Sequence, residues 1–102
     1  MSKQRILVAD PISPKGIEEL QADAAFDVDV KIGISPEDLL ATADQYHGII
    51  VRSQTKITAD VLAKATNLKA VGRAGVGVDN IDVAAASTKG VVVMNTPAGN
   101  TI

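Results

Sequence analysis

Residues 70–80, with the sequence AVGRAGVGVDN, join an apolar run to a glycine-rich turn and then to the start of a helix. Three glycines lie within the six positions 72–77, and glycine adopts positive φ and lets the backbone approach a ligand closely. Unpaired N–H groups ahead of a helix attract anions, so the segment predicts either a small-anion site or a purely structural turn. Asp79, with Asp82 three residues later, is the predicted N-cap of the helix that follows.

The same segment departs at two points from the GxGxxG turn of dinucleotide-binding proteins. Gly75 and Gly77 follow a strand and precede a helix, but Asn80 occupies the position of the third glycine. The next strand then ends at Asn95, where a dinucleotide site has an acidic residue for the ribose. A small anion is therefore favoured over a dinucleotide at this turn.

Regularly spaced apolar runs set the fold class. Their centres fall about every 21 residues, which is the spacing of short βα units. Strands are predicted over residues 5–9, 26–32, 48–51, 68–73 and 91–94, and helices are predicted to begin after Ser13, Ser35 and Thr58 and at Ile81. The pattern predicts an α/β fold, a flavodoxin-like doubly wound parallel five-stranded sheet of order 2-1-3-4-5 with the last helix missing. Alternating apolar and polar residues place the second strand at an edge.

The composition is that of a globular protein and excludes several kinds of partner. The 102 residues are 46% hydrophobic and 22% charged, a balance that can bury a core. The net charge is −2 with no basic stripe, so no nucleic-acid partner is expected. No apolar run is long enough to cross a membrane, the first residues do not form a signal-peptide core, and cysteine is absent. We therefore expect a cytoplasmic protein with no membrane partner.

Polar side chains follow the third and fourth predicted strands. Ligands bind at the carboxyl ends of the strands in a doubly wound sheet, so Arg52, Ser53 and Arg73 are candidate anion ligands. The Arg52 guanidinium suits a carboxylate or phosphate because it donates two parallel hydrogen bonds, and the alternative is a local ion pair. Ser53 either donates to the same anion or bonds to nearby backbone. Arg73 is predicted either to face the ligand or to pair with Asp79 or Asp82.

Other polar residues are interpreted as structural. His47 lies before the third strand, at the end of the sheet opposite the predicted site, and is expected to be structural or solvated. Asp23, Asp27 and Asp29 surround the edge strand and are interpreted as a solvated face. No cluster of ligand residues indicates a metal site and no nucleophile has a base partner, so neither a metal nor a catalytic residue is predicted in this chain.

Three segments closely resemble the NAD-dependent D-2-hydroxyacid dehydrogenase family. They are VRSQT at residues 51–55, VGRAGVGVDNID at 71–82 and VMNTPAGN at 93–100. The resemblance runs along the whole chain. It implies the amino-terminal substrate-binding domain, of flavodoxin-like topology, with a Rossmann domain inserted in it and the active site in the cleft between the two.

The resemblance also implies roles for individual residues. Arg52 and Ser53 would hold the carboxylate or phosphate end of a small anionic 2-hydroxyacid, and the backbone amides of Val76 and Gly77 would bind its carboxylate. Asn100 matches a family position that lies near the substrate and the nicotinamide. These positions agree with the anion site predicted from the residues themselves.

In the family, the dinucleotide turn and the catalytic arginine, glutamate and histidine correspond to positions beyond Ile102. Residues 1–95 are then the substrate-binding domain, and residues 96–102 are the truncated start of the interdomain connection. NAD is the cofactor of the parent enzyme, and the chain alone is expected to bind none and to be inactive. The alternative is a non-catalytic flavodoxin-like scaffold or association module. A sheet without its last helix also predicts an exposed apolar face and a homo-oligomer formed through it.

Overall fold

The computed structural model describes residues 4–12, 14–52, 54–74 and 80–96. Within these residues five strands alternate with four α-helices, and a 3-10 helix, Ala43–Gln45, precedes the third strand. The strands are β1 Gln4–Val8, β2 Phe26–Val30, β3 Gly48–Val51, β4 Ala70–Ala74 and β5 Val92–Thr96. The helices are α1 Pro14–Ala22, α2 Pro36–Thr42, α3 Ala59–Lys64 and α4 Val83–Thr88.

The strands form one parallel sheet of order β2-β1-β3-β4-β5. This order confirms the predicted α/β class, the order 2-1-3-4-5 and the position of β2 at an edge. Parallel neighbours need crossover connections, and each connection here contains a helix. The carboxyl ends of all the strands therefore lie along one edge of the sheet, which we call the carboxyl edge.

Two predicted strands are two residues too long at one end. β2 ends at Val30 because the chain turns there: the Ile34 N–H donates to the Lys31 carbonyl oxygen at 3.1 Å, and Gly33 has a φ of +79°. β4 begins at Ala70, and the Leu68 N–H before it closes the turn after α3 by donating to the Ala65 carbonyl oxygen at 3.1 Å. In both places the regular strand stops, although single backbone hydrogen bonds to the neighbouring chain continue, from Lys31 to Val8 and from Lys69 to His47.

Side-chain oxygens cap two helices as predicted. Ser35 Oγ accepts from the Asp38 N–H at 3.2 Å at the start of α2, and Thr58 Oγ1 accepts from the Val61 N–H at 3.3 Å at the start of α3. These hydrogen bonds satisfy amides that the first turn of a helix leaves unpaired. Ser13, predicted before α1, lies outside the described residues.

The helix after the glycine turn begins later than predicted. α4 starts at Val83, and its N-cap is Asp82, whose Oδ1 accepts from an α4 amide at 3.0 Å. Ile81 is not helical because it forms a parallel bridge with Ile57 in the segment between β3 and α3. Asp79, which was the predicted cap, lies outside the described residues. This bridge fixes the start of α4 against the chain that leaves β3.

The two faces of the sheet are covered unequally. One face packs against α2, α3 and α4 in a continuous core that contains Leu7, Tyr46, Ile49, Val51, Leu62 and Val71. The other face packs against α1 in a smaller cluster around Val8 and Ile50.

Beyond that cluster the second face is open, since Val92 and Met94 of β5 are 58% and 51% exposed. An apolar groove of about 440 Å³ lies on this face and has Ile6, Ile50, Gly72, Ala74 and Met94 among its lining residues. The predicted apolar exposure is therefore present.

Candidate functional site

Arg52 and Arg73 lie on adjacent strands at the carboxyl edge. β3 ends at Val51, which pairs in register with Arg73 of β4, and Arg52 is the next residue along the chain. Arg52 is exposed, and within the part of the chain that the structure describes no hydrogen bond or ion pair engages its guanidinium. Two guanidinium groups in this arrangement suit a carboxylate or phosphate.

Arg73 has a partner that the sequence interpretation did not include. Its Nε donates to Asn80 Oδ1 at 2.7 Å, and the side chain is half-buried. The sequence instead offered the ligand, Asp79 or Asp82 as alternatives. Asp82 caps α4, and Asp79 lies outside the described residues. The amide of Asn80 therefore orients Arg73 from the far side of the glycine turn.

Asp10, directly after β1, is a buried acid that binds the loop carrying Arg52, which we define as residues 52–55. It has no exposure, and its carboxylate accepts from the backbone N–H groups of Arg52 at 2.8 Å, Gln54 at 3.1 Å and Thr55 at 2.9 Å. Thr55 Oγ1 adds a fourth donor at 2.5 Å. Because ionised acceptors make the stronger hydrogen bonds, this carboxylate fixes the path of the chain as it leaves β3.

The same contacts decide the charge of Asp10. Burial raises the pKa of a carboxyl group, but hydrogen bonds from the Thr55 hydroxyl and from the Thr55, Arg52 and Gln54 amides outweigh it, so the pKa of Asp10 lies below its ordinary value. Asp10 is thus a buried carboxylate that stays ionised at neutral pH. From the sequence, Asp10 is interpreted only as the start of the turn after the first strand, and the one available signal is an acid placed directly after an apolar run.

Asn80 holds the same loop from the opposite side. Its Nδ2 donates to the carbonyl oxygens of Arg52 at 2.8 Å and Thr55 at 2.6 Å. The Asn80 backbone is held separately, since its carbonyl oxygen accepts from the Ile57 N–H at 2.8 Å. The sequence had identified this position only as the missing third glycine of a dinucleotide turn.

A cleft opens beside this loop at the carboxyl edge. Its volume is about 570 Å³, and it lies between the β2–α2 and β3–α3 connections. Its lining includes Asp10, Gly33, Ile34, Gln54, Thr55 and Lys56. The predicted site residues Ser53, Val76, Gly77 and Asn100 lie outside the described residues.

One acid of the edge strand is not part of a solvated face. Asp29 Oδ2 accepts from Arg5 Nη2 at 2.5 Å and from the Tyr46 hydroxyl at 2.8 Å, so the earlier interpretation is wrong for this residue. Burial, and then the hydrogen bond to Asp29, raise the pKa of Tyr46 to about 12. The Arg5 guanidinium carbon also lies 5.0 Å from the centre of the Tyr46 ring. The cluster joins β1, β2 and the residue after the 3-10 helix.

His47 is structural, as predicted. Its Nδ1 accepts from the Arg5 N–H at 3.0 Å, and its carbonyl oxygen accepts from the Lys69 N–H at 2.8 Å, so it joins β1 to the start of β4. Among the described residues, no group of three His, Asp or Glu side chains could hold a metal ion. The described helices include none that is long and apolar enough to cross a membrane.

The doubly wound sheet, with cations and a braced loop at its carboxyl edge, defines an α/β domain of the kind that binds ligands at strand ends. The chain belongs to the D-isomer specific 2-hydroxyacid dehydrogenase family. The family model of its catalytic domain matches residues 6–102.

Relatives of known name support this assignment. D-3-phosphoglycerate dehydrogenase from Archaeoglobus fulgidus is 51% identical over 98 residues, and that from Rattus norvegicus is 48% identical over 99 residues. The matches cover 96% and 97% of this chain, which spans 18% of the length of each relative.

Solved structures of other proteins share the fold. The PH0520 protein from Pyrococcus horikoshii OT3 superposes with a TM-score of 0.85 at 33% identity, over 92% of this chain and 28% of that one. An NAD+-bound 3-phosphoglycerate dehydrogenase from Entamoeba histolytica gives a TM-score of 0.80 at 32% identity, over 92% of this chain and 33% of that one.

Proposed function

We propose that this chain is the substrate-binding part of an NAD-dependent D-3-phosphoglycerate dehydrogenase, which oxidises 3-phosphoglycerate to 3-phosphohydroxypyruvate in serine biosynthesis. The observation that carries the proposal is the exposed Arg52 at the carboxyl edge, one residue beyond the partner of Arg73 in the neighbouring strand, on a loop whose amides bond to the buried Asp10 carboxylate. The identity of 51% to the Archaeoglobus fulgidus enzyme supports this substrate among the 2-hydroxyacids.

The proposed roles of individual residues follow from the carboxyl edge of the sheet and from the resemblance to the family. Arg52 and Ser53 bind the phosphate or carboxylate end of the substrate, and Arg73 adds a second positive charge from the neighbouring strand. The amides of Val76 and Gly77 bind the substrate carboxylate, and Asn100 lies near the substrate and the nicotinamide. Support for the last three is the resemblance of their segments to the family.

NAD does not fit the described residues around the glycine turn. Asn80 fills the position of the third glycine with a side chain that is already bonded to loop carbonyl oxygens, whereas that glycine serves close helix–strand packing. The backbone of β5 passes through Asn95, where an acid would have to meet the ribose. We therefore propose that NAD binds to a separate cofactor domain of the parent enzyme, and we assign no step of hydride transfer to this chain.

The proposed domain organisation places residues 1–95 in the substrate-binding domain and residues 96–102 at the start of the connection to the cofactor domain.

The alternative function is that of a non-catalytic association module. The observation favouring it is the open apolar face at Val92 and Met94, through which we propose that the 102-residue chain forms a homo-oligomer. The proposed location is the cytoplasm, with which the absence of cysteine agrees.

An NMR titration of the 15N-labelled chain with 3-phosphohydroxypyruvate tests the proposed function. We expect saturable shifts at the Arg52 and Arg73 guanidinium groups and the Val76 and Gly77 amides. Arg52→Gln should weaken binding roughly tenfold or more, because it removes charge-assisted hydrogen bonds to the anion.

Lys69→Gln is the matched control, because it removes one positive charge at the opposite end of β4. Its binding curve should overlay that of the unmodified chain. Equal weakening by both substitutions, or shifts that do not saturate, would mean that the chain attracts anions only through its overall field, and the proposed site would be wrong.

A further inference from the structure

One side-chain amide links the Arg73 side chain to the backbone of Arg52. Asn80 Oδ1 accepts from Arg73 Nε at 2.7 Å, while Asn80 Nδ2 donates to the carbonyl oxygen of Arg52 at 2.8 Å. A second donation, to the Thr55 carbonyl oxygen at 2.6 Å, closes the far end of the loop. A single planar group thus connects the β4 side chain to both ends of the loop that follows β3.

The chemistry of this position is specific to an amide. A carboxylate of the same shape keeps the acceptor for Arg73 but has no N–H to give to the two carbonyl oxygens. A hydroxyl supplies one donor instead of two. Asparagine alone among short side chains provides two donors and an acceptor in one rigid plane, and all three contacts are made here.

The backbone around Asn80 is also held by hydrogen bonds that do not involve its side chain. Its backbone carbonyl oxygen accepts from the Ile57 N–H at 2.8 Å, and the Asp82 N–H donates to the Ile57 carbonyl oxygen at 2.8 Å. The amides of the loop are held independently by Asp10. Loss of the Asn80 side chain therefore removes the acceptor of the Arg73 Nε–H and the donors to the two loop carbonyl oxygens, while the backbone hydrogen bonds of the sheet, the bridge between Ile57 and Ile81 and the Asp10 contacts remain.

We infer that Asn80 is a positioning residue of the anion site, which fixes the Arg52 loop relative to Arg73 so that both guanidinium groups reach one anion. The inference rests on the proposed anion-binding function. The inference also explains why asparagine occupies position 80, where a dinucleotide-binding turn has its third glycine. The Asn80 side chain forms hydrogen bonds between β4 and the loop after β3, whereas the glycine allows close contact with a cofactor.

The first part of the test needs no ligand. In the unmodified chain, NMR should show the Arg73 Nε–Hε proton protected from exchange with water, because Asn80 Oδ1 accepts it. Asn80→Ala should raise that exchange rate roughly tenfold and shift the 13C signals of the Arg52 and Thr55 carbonyls. Asn80→Asp should shift the same carbonyl signals but keep the Arg73 proton protected, since its acceptor is retained.

The second part measures binding of 3-phosphohydroxypyruvate. We expect Asn80→Ala to weaken the affinity roughly tenfold without loss of the dispersed spectrum. The control is Asn67→Ala, which removes an amide that donates to the Asp44 carbonyl oxygen at 2.9 Å on an exposed loop away from the carboxyl edge. This control should leave both the affinity and the Arg73 signal unchanged.

The two parts separate the inference from the function beneath it. If the unmodified chain binds the anion and Asn80→Ala binds equally well, the positioning role is wrong and the site stands. If the unmodified chain does not bind the anion, the proposed function is wrong. Asn80 then has no positioning role in anion binding, even if the Arg73 Nε–Hε proton is protected from exchange. If Arg73 exchanges equally fast in the unmodified chain and in Asn80→Ala, the Asn80 contact does not hold Arg73 and the inference is overturned.

Discussion

Asp10 carries a charge where no water reaches it, and its four donors are the reason that the charge is tolerated. A buried carboxylate without partners is neutralised, whereas one that accepts several hydrogen bonds remains ionised. Three of the four donors are backbone amides of the loop that bears Arg52. The Asp10 carboxylate therefore holds the loop that carries the Arg52 side chain.

Replacing this carboxylate should cost stability in a pH-dependent way. Asp10→Asn turns an acceptor of four hydrogen bonds into a group that donates at one end, and we expect the free energy of unfolding at pH 7 to fall by about 2 kcal/mol. The pKa of Asp10 is lowered by folding, so its contribution is complete above the ordinary value of 3.8 and is lost as the pH falls through the lower folded value. The gap between the two proteins should therefore shrink in acid.

Urea unfolding at pH 7 and at successively lower pH measures this gap. Asp23→Asn is the control, since Asp23 accepts from the Ala25 N–H at 2.9 Å on an exposed turn, and its effect should stay within about 0.5 kcal/mol. A gap for Asp10→Asn that is constant between neutral and acid pH would contradict the assignment of an ionised carboxylate with a lowered pKa.

The positions of Arg52 and Arg73 at the carboxyl edge were predictable from sequence, and the residues that bond to them were not. Arg52 and Arg73 each follow an apolar run, so strand order and the rule for carboxyl edges were enough to bring them together. The donors to Asp10 lie 42 to 45 positions away along the chain. The periodicity of a single sequence indicates local elements, and it does not show which side chain will bond to backbone amides so far along the chain. Asp10 was therefore interpreted only as a turn residue.

The helix starts show which element boundaries are determined by local contacts and which by contacts between distant segments. Helix starts followed the sequence at Ser35 and Thr58 because a cap is made within three residues. The start of α4 did not, because Ile81 forms a bridge with Ile57 in the segment between β3 and α3, which no local sequence signal indicates. Boundaries fail where tertiary pairing competes with a local signal.

Glycines in two kinds of element should respond oppositely to alanine. Gly72 lies within β4 at ordinary φ, and an added Cβ would meet only Ile50 Cγ1 at 3.9 Å. We expect Gly72→Ala to stabilise the chain by about 0.5 kcal/mol, since it restricts the unfolded state. Gly33 has a φ of +79°, so Gly33→Ala should destabilise by about 1 kcal/mol through backbone strain, with open space around it.

Thermal and urea unfolding of both variants measures these effects against the unmodified chain. The comparison contains its own control, because both substitutions add one methyl group and neither meets a steric clash. Equal changes of the same sign would show that backbone conformation is not what distinguishes the two positions.

At the scale of the whole molecule, the sheet is covered on one face and half-covered on the other. Of the helices in the described part of the chain, three pack on the first face and α1 packs on the second. Among the described strands, β5 lies at the end of the sheet and pairs with β4, and it carries the exposed Val92 and Met94. An apolar surface beside an unpaired strand edge favours association of copies of the chain.

Met94→Glu should therefore reduce self-association of the 102-residue chain. A carboxylate at a side chain that is 51% exposed costs the monomer little, but it would lie unpaired in an apolar interface. Sedimentation over increasing protein concentration should show association of the unmodified chain and at least a tenfold weaker association of the variant. Val83→Glu adds the same charge at a 39% exposed position on the first turn of α4, away from this face, and should associate as the unmodified chain does. An unmodified chain that stays monomeric at every concentration, or equal effects of the two substitutions, would show that the open face is not an interface between copies.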